Sequence, residues 1–258
     1  MMQILRSLVL LGFFWAFCSN IQAQKRFPEH PEATGGRNKG NAFLLHLTGA
    51  LHIPAGDMAD RFGSVGSVGL GLERLTTSNW IFGGEGYYFF GNKVKEDPLE
   101  ILRTAEGEII GNDRLVASVV LRERGFYIGA IVGKLFVVEG TRSGLRTTLS
   151  AGWLQHKIRV QDDSRTVTQL TGEYLEGYDR LTGGLALNEF IGWQSLGAQG
   201  SINWYAGLEF NQGFTTTLRE WDFNDRRKLD ERRLDLSFGI RIGWTLPFYT
   251  SGQETIFY

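Results

Sequence analysis

The chain predicts an all-β protein: an eight-stranded antiparallel up-and-down transmembrane β-barrel. Three observations predict it. Segment after segment alternates apolar with polar or small residues, the period of a strand with two unlike faces. The connections alternate between short and long. Beyond the N-terminal leader, no segment approaches the roughly 20 apolar residues of a membrane-spanning helix. A chain without such a helix stays in a bilayer only as a closed barrel, because lipid offers the backbone no hydrogen bonds.

The leader comes first. Arg6 precedes the apolar run 8–17, and Ile21-Gln22-Ala23 ends on a small residue, which marks 1–23 as a signal peptide. The polar stretch 24–41, with Lys25, Arg26, Arg37 and Lys39, reads as a flexible periplasmic segment. The barrel then spans 42–249, and 250–258 forms a C-terminal periplasmic tail.

The closing strand is the clearest element. Leu234, Leu236, Phe238, Ile240, Ile242, Trp244 and Leu246 share one face, against Asp235, Ser237, Gly239, Arg241, Gly243 and Thr245. The first strand sets Phe43, Leu45, Leu47, Leu51 and Ile53 against His46, Thr48 and His52. Segments 65–75 and 202–211 alternate in the same way, while 80–90, 126–138, 145–159 and 181–194 do so more weakly. Within 181–194 the parity is muddled, since Glu189 falls in register with Leu187 and Ile191. The links 54–64, 91–125, 160–180 and 215–233 are long, and 76–79, 140–144 and 196–200 are short. Eight strands fit best, with ten as the alternative count.

Composition narrows the function classes. With 34 Gly, 5 Pro and 13% aromatic residues, the chain suits strands and turns better than a helical bundle. A net charge of −1 leaves no electrostatic footprint for nucleic acid. Cys18 is the sole cysteine and lies in the leader, so no disulfide framework or thiolate site is expected. The four histidines, at 30, 46, 52 and 156, form no close ligand pair, so neither a metal nor another cofactor is expected.

Alternation alone does not say which face is wet. A soluble barrel would turn Leu234, Phe238 and Ile242 inward. Two features favour lipid outside: Trp80, Trp193, Trp204 and Trp244 fall near the periplasmic strand ends as an aromatic girdle, and the polar face is rich in glycine. An eight-stranded lumen is narrow enough for side chains to fill. Glu73, Glu85, Glu209 and Asp235 against Lys134, Arg146 and Arg241 then form a lumen ion-pair network.

Residues 42–249 resemble the small outer-membrane β-barrel proteins of the Bacteroidota. The resemblance rests on Ala23-Gln24, the stretch Ile53-Pro54-Ala55-Gly56-Asp57, the closing segment 239–247, and the terminal Phe257-Tyr258. In that phylum similar barrels include the PorG- and PorT-like components of the type 9 secretion machinery. The final strand stops near Tyr249, whereas the family's assembly signal sits on the last residue, so Tyr249 and Tyr258 both compete for that role.

These readings place the protein in the outer membrane, surrounded by lipid and lipopolysaccharide. Loop contacts to envelope or secretion-machinery proteins are expected at Arg122, Arg124, Tyr178, Arg180, Trp221 and Phe223, since arginine and aromatic residues are enriched at binding hot spots. The leading function is a non-enzymatic interaction or scaffold component. A free-standing stabilising or adhesive barrel is the alternative. A lipid-modifying enzyme would have to use His52 or His156 with Asp57, Asp162, Asp163 or Ser164, and no catalytic residue is assigned.

Overall fold

The computed structural model describes residues 40–139, 141–197 and 202–249. The expected leader, the tail 250–258 and all but the last two residues of the 24–41 segment lie outside the described residues. Eight strands follow in order: β1 (Ala42–Gly56), β2 (Val65–Leu75), β3 (Trp80–Gly91), β4 (Val119–Val137), β5 (Gly144–Asp162), β6 (Thr182–Ser195), β7 (Asn203–Thr217) and β8 (Arg233–Tyr249). Each pairs antiparallel with its sequence neighbours, and β1 pairs with β8 along the whole of β1. The sheet therefore has no edge, and its ladder satisfies the backbone internally.

Register sets the girth. Crossing the ladder from Leu45 through Leu72, Gly84, Ala130, Ala151, Leu187, Gln212 and Leu236 returns to β1 at Ala55, ten residues further on. Eight strands staggered by ten tilt by about 40° and enclose a lumen of side-chain dimensions.

The two faces are chemically opposite. Leu47, Leu51, Leu70, Ile128, Leu185 and Ile240 point outward and are exposed, while His46, Glu73, Arg146, Glu209 and Arg241 point inward and are buried. A predominantly apolar exterior around a polar interior is the reverse of a soluble barrel and belongs in hydrocarbon. Trp80, Trp193, Trp204 and Trp244 are exposed near the end that carries the tight turns, with Trp204 directly opposite Trp244. That end is closed inside by Leu44, Leu75, Ile81, Ile131, Leu135 and Leu196.

The other end departs from the sequence reading. β4 and β5 each run 19 residues, well beyond the 9–11 that cross a bilayer. β4 begins at Val119, so the expected 91–125 loop is shorter and its last residues are strand. β7 likewise takes in residues 215–217 of the next loop but starts at Asn203, one residue after the expected start. Segment 54–64 contains a short helix, α1 (Asp57–Arg61), entered through Gly56 at φ 57°. A Cβ there would stand 2.6 Å from the Leu234 carbonyl oxygen, so both the left-handed backbone and the space call for glycine.

One cross-strand contact on the wall is tight from both sides. Gly192 on β6 faces Gly207 on β7, and a Cβ on either would lie 2.2 Å from the other strand's backbone oxygen. Replacing either glycine with valine is expected to lower barrel stability by about 1–3 kcal/mol. Urea unfolding in detergent micelles, read by heat-dependent gel migration, checks this, and an unchanged midpoint contradicts the tight packing.

Candidate functional site

The lumen is built in tiers by inward positions of strands that alternate strictly. Nearest the turn end, Glu73 Oε1 accepts from Arg146 Nη2 at 2.5 Å, and Glu73 Oε2 lies 3.1 Å from His46 Nε2. Arg146 Nη1 donates to Gln194 Oε1 at 2.9 Å, and the guanidinium sits 4.7 Å over the Tyr205 ring. The His46 Nδ1 contact with Thr245 Oγ1 at 2.9 Å ties β1 to β8.

The middle tier centres on Arg241. Its Nη1 reaches Glu85 Oε2 at 3.2 Å, and its Nη2 pairs with Glu209 and donates to Asn188 Oδ1 at 3.1 Å. The guanidinium also covers the Tyr87 ring at 4.5 Å, and Tyr87 donates to Glu85. One cation thus faces two carboxylates, both buried. A buried ion needs such partners, since an unpaired one costs several kcal/mol.

Above it, His52 Nε2 meets Ser67 Oγ at 2.8 Å, and His52 Nδ1 lies 3.1 Å from Glu209 Oε1. The residue types are those of a hydrolytic triad, but the second contact is an ion-pair distance without hydrogen-bond alignment. All three side chains are buried, and Phe89 lies edge-on against the imidazole. His156 is held separately, with Nε2 2.8 Å from Asp235 Oδ2, which also accepts from Thr215 Oγ1 at 2.5 Å. The acidic residues offered as partners of these histidines go elsewhere. Asp57 accepts from the Leu234 amide at 2.6 Å, and Asp162 from the Val167 amide at 3.0 Å.

Lys134 is a correction. The sequence reading put it in the lumen, yet it shares parity with outward Phe126, Ile128 and Val132, and its Nζ lies 4.9 Å over the outward Trp80 ring. A lysine near the turn end can send its ammonium to the interface from the outer face, so no inward position is needed. Conversely, sequence reasoning missed Gln194, Asn188 and Tyr205 as parts of the network. Their inward parity was available, but an uncharged side chain gives no sign of which cation it serves.

The loops at the far end fold over the lumen as a cap. Leu99, Ile109, Val160, Val167, Leu170 and Tyr178 form its apolar core. Arg61 of α1 bonds Glu96 at 2.6 Å and Thr182 at 2.8 Å, tying helix, loop and wall together. Arg180 gathers Glu96 at 3.3 Å, Asp222 at 3.1 Å and Asp225 at 3.0 Å. The Arg180 hydrogen bond holds the Asp225 carboxyl below its ordinary range, while burial pushes Asp222 up.

This corrects the expected contact surface. Tyr178 and Arg180 are buried, and Phe223 packs edge-on against Tyr178 at 5.5 Å, so these three hold the cap together. Arg122 and Arg124 lie on strand β4 and are half-buried, with Arg124 Nη1 donating to the Glu123 carbonyl at 2.6 Å. Of the six, Trp221 remains openly exposed.

No family model and no curated protein sequence matches the chain. Among solved structures it is similar to Neisserial surface protein A, at 14% identity and a TM-score of 0.45 over 80% of this chain and 99% of that one. It is also similar to Ail, the attachment invasion locus protein of Yersinia pestis, at 9% identity and a TM-score of 0.40, covering 81% and 99% of the two chains. The N-terminal β-barrel domain of Pseudomonas aeruginosa OprF is similar at 11% identity and a TM-score of 0.35, covering 80% and 98%.

Two outcomes follow from this geometry. Arg241→Met strands Glu85 and Glu209 without their cation and is expected to cost about 3–5 kcal/mol in chemical unfolding, without opening conductance in planar bilayers. An unchanged midpoint, or a new conducting state, contradicts the filled lumen. Arg180→Ala leaves Glu96 to Arg61 alone and takes the shared cation from Asp222 and Asp225, so residues 160–180 and 215–233 should lose hydrogen-exchange protection while the strands keep theirs.

Proposed function

We propose that this chain is an integral outer-membrane barrel that acts as a non-enzymatic interaction or scaffold component of the cell envelope. The observation that carries this reading is the combination of a lumen filled by buried side chains, with Arg146 and Arg241 paired to carboxylates, and a cap that has its own apolar core. A filled lumen offers no path to a solute, so specific function falls to the loops. The long-loop end is read as extracellular and the tryptophan-ringed turn end as periplasmic, with lipid and lipopolysaccharide against the apolar wall.

A cap with a packed interior can still present a fixed outer surface. Leu115, Val116, Tyr174 and Trp221 are 51–66% exposed on it, although burying them would be favourable. Fixed apolar and aromatic groups bind with little ordering cost, which suits a protein partner better than a soluble metabolite. The finer assignment, to a secretion or assembly machine of the type 9 kind in the Bacteroidota, is the one the sequence resemblance implies. An enzymatic role is disfavoured because His52 and Ser67 are enclosed by packed side chains.

The test is gentle detergent extraction of a chromosomally tagged copy, with mass spectrometry of what copurifies. A stoichiometric set of envelope proteins, lost when Tyr174 and Trp221 are both changed to alanine, supports the scaffold role. A lone barrel overturns it and leaves adhesion or envelope stabilisation through the same cap.

A further inference from the structure

Towards the loop end, the outer face of the β4–β5 hairpin turns from apolar to basic. Its outward pairs run Val132 with Leu149, Ala130 with Ala151, Ile128 with Trp153 and Phe126 with Gln155. The next two are Arg124 opposite Lys157 and Arg122 opposite Arg159. Four cations therefore occupy two successive rungs, each facing a like charge at a Cβ separation of about 4.5–5.5 Å. Like charges placed directly opposite destabilise a strand pair, so the arrangement is costly unless an anion bridges it.

The protein supplies little of that anion. Lys157 reaches Asp179 at 3.3 Å, but Asp179 is also held by Arg219 at 2.6 Å. Arg124 donates to backbone carbonyls, of Glu123 at 2.6 Å and of Gly91 at 3.4 Å. Among the described residues no carboxylate pairs with Arg122, Arg124 or Arg159, and Arg122 Nε is enclosed without a hydrogen-bond partner. Glu123 lies between the two arginines in sequence, but its side chain has inward parity and is buried. The outward neighbours on β3 are Tyr88 and Phe90, which add no charge.

The height of the cluster decides what that anion is. Lys134, in the same outward column of β4, lies over the Trp80 ring of the girdle at the turn end. Arg124 stands ten residues further along; at about 3.3 Å per residue and a tilt of about 40°, that is about 25 Å along the membrane normal. This is the height of the apolar band of an outer-membrane barrel, so the two cationic rungs stand where the outer leaflet's headgroups begin. Trp153, Phe126 and Tyr88, exposed just below, and Phe90 beside Arg124 form an aromatic border there. We infer that this face holds a phosphate group carried by an outer-leaflet glycolipid, whose acyl chains lie down the wall beside Ile128 and Ala130. Arginine's fork matches phosphate oxygens, and the half-buried stems of Arg122 and Arg124 are held against the wall. The inference rests on the outer-membrane reading, with the long-loop end outside, and not on the scaffold role.

The test folds the full chain in detergent, moves it into phosphatidylcholine nanodiscs and titrates it with lipid A, intact or stripped of phosphate. Bound lipid is followed by native mass spectrometry. Arg122→Gln combined with Arg159→Gln is expected to weaken binding of intact lipid A by about tenfold or more, while heat-dependent gel migration still reports a folded barrel. Dephosphorylated lipid A should bind the native chain no better than intact lipid A binds that variant. Arg226→Gln combined with Arg232→Gln removes the same charge from the exposed cap and should leave binding unchanged. Inorganic phosphate should not displace the lipid, because the wall supplies part of the hold. In detergent without lipid, Arg159→Gln alone should raise the unfolding midpoint by relieving the repulsion from Arg122, whereas a purely structural arginine would lower it. Equal binding of the two lipid forms, retained binding in the first variant, equal loss in the cap variant, displacement by inorganic phosphate or a lowered midpoint overturns the inference. A lone barrel in the copurification would overturn the scaffold role and leave this site standing.

Discussion

A peptide group in hydrocarbon has no water to turn to, and that single constraint organises this molecule. Because β1 and β8 join, each strand finds partners on both sides. Closure at a stagger of ten in turn fixes how wide the ring can be. The width leaves too little space for a channel and too much for a void, so inward side chains must fill it. Once they are polar and enclosed they must also satisfy one another, which is why Arg146 and Arg241 each organise a tier of carboxylates, amides and rings. The charged interior is therefore a consequence of closure as much as a specification of function.

Much of this architecture is legible in the chain because a strand's period of two is easily read when its faces differ. β8 and β1 declare both their existence and their facing. β4 does not: Tyr127, Ile131 and Leu135 point inward while Phe126, Ile128 and Val132 point outward. With apolar residues on both faces, parity around Lys134 could not be assigned from pattern, and charge alone was a poor guide. In β6 the sequence flagged the same kind of conflict at Glu189, and there the conflict is real, since the carboxylate does face outward.

The loop end was far less legible, for a different reason. Its determinants are contacts between residues remote in sequence, such as Arg61 with Thr182, Arg180 with Asp225 and Tyr178 with Phe223. Charged and aromatic residues in long loops suggest a solvated, partner-seeking surface, yet here most of them are spent on one another. The histidines illustrate the opposite error. His52 was matched with loop hydroxyls and acids close in sequence to the strand ends, whereas register brings it Ser67 from β2 and Glu209 from β7. A strand's inward residues find their partners by height in the barrel, which sequence spacing does not report.

The long hairpin of β4 and β5 has a mechanical meaning. Their ladder is continuous over 19 paired residues, from Val119 opposite Asp162 down to Val137 opposite Gly144, with its hydrogen bonds lying across the strands. A pull on the cap directed along these strands loads many bonds together in shear instead of opening them one at a time. The cap is thus anchored by a tension-bearing strut that reaches through the whole wall.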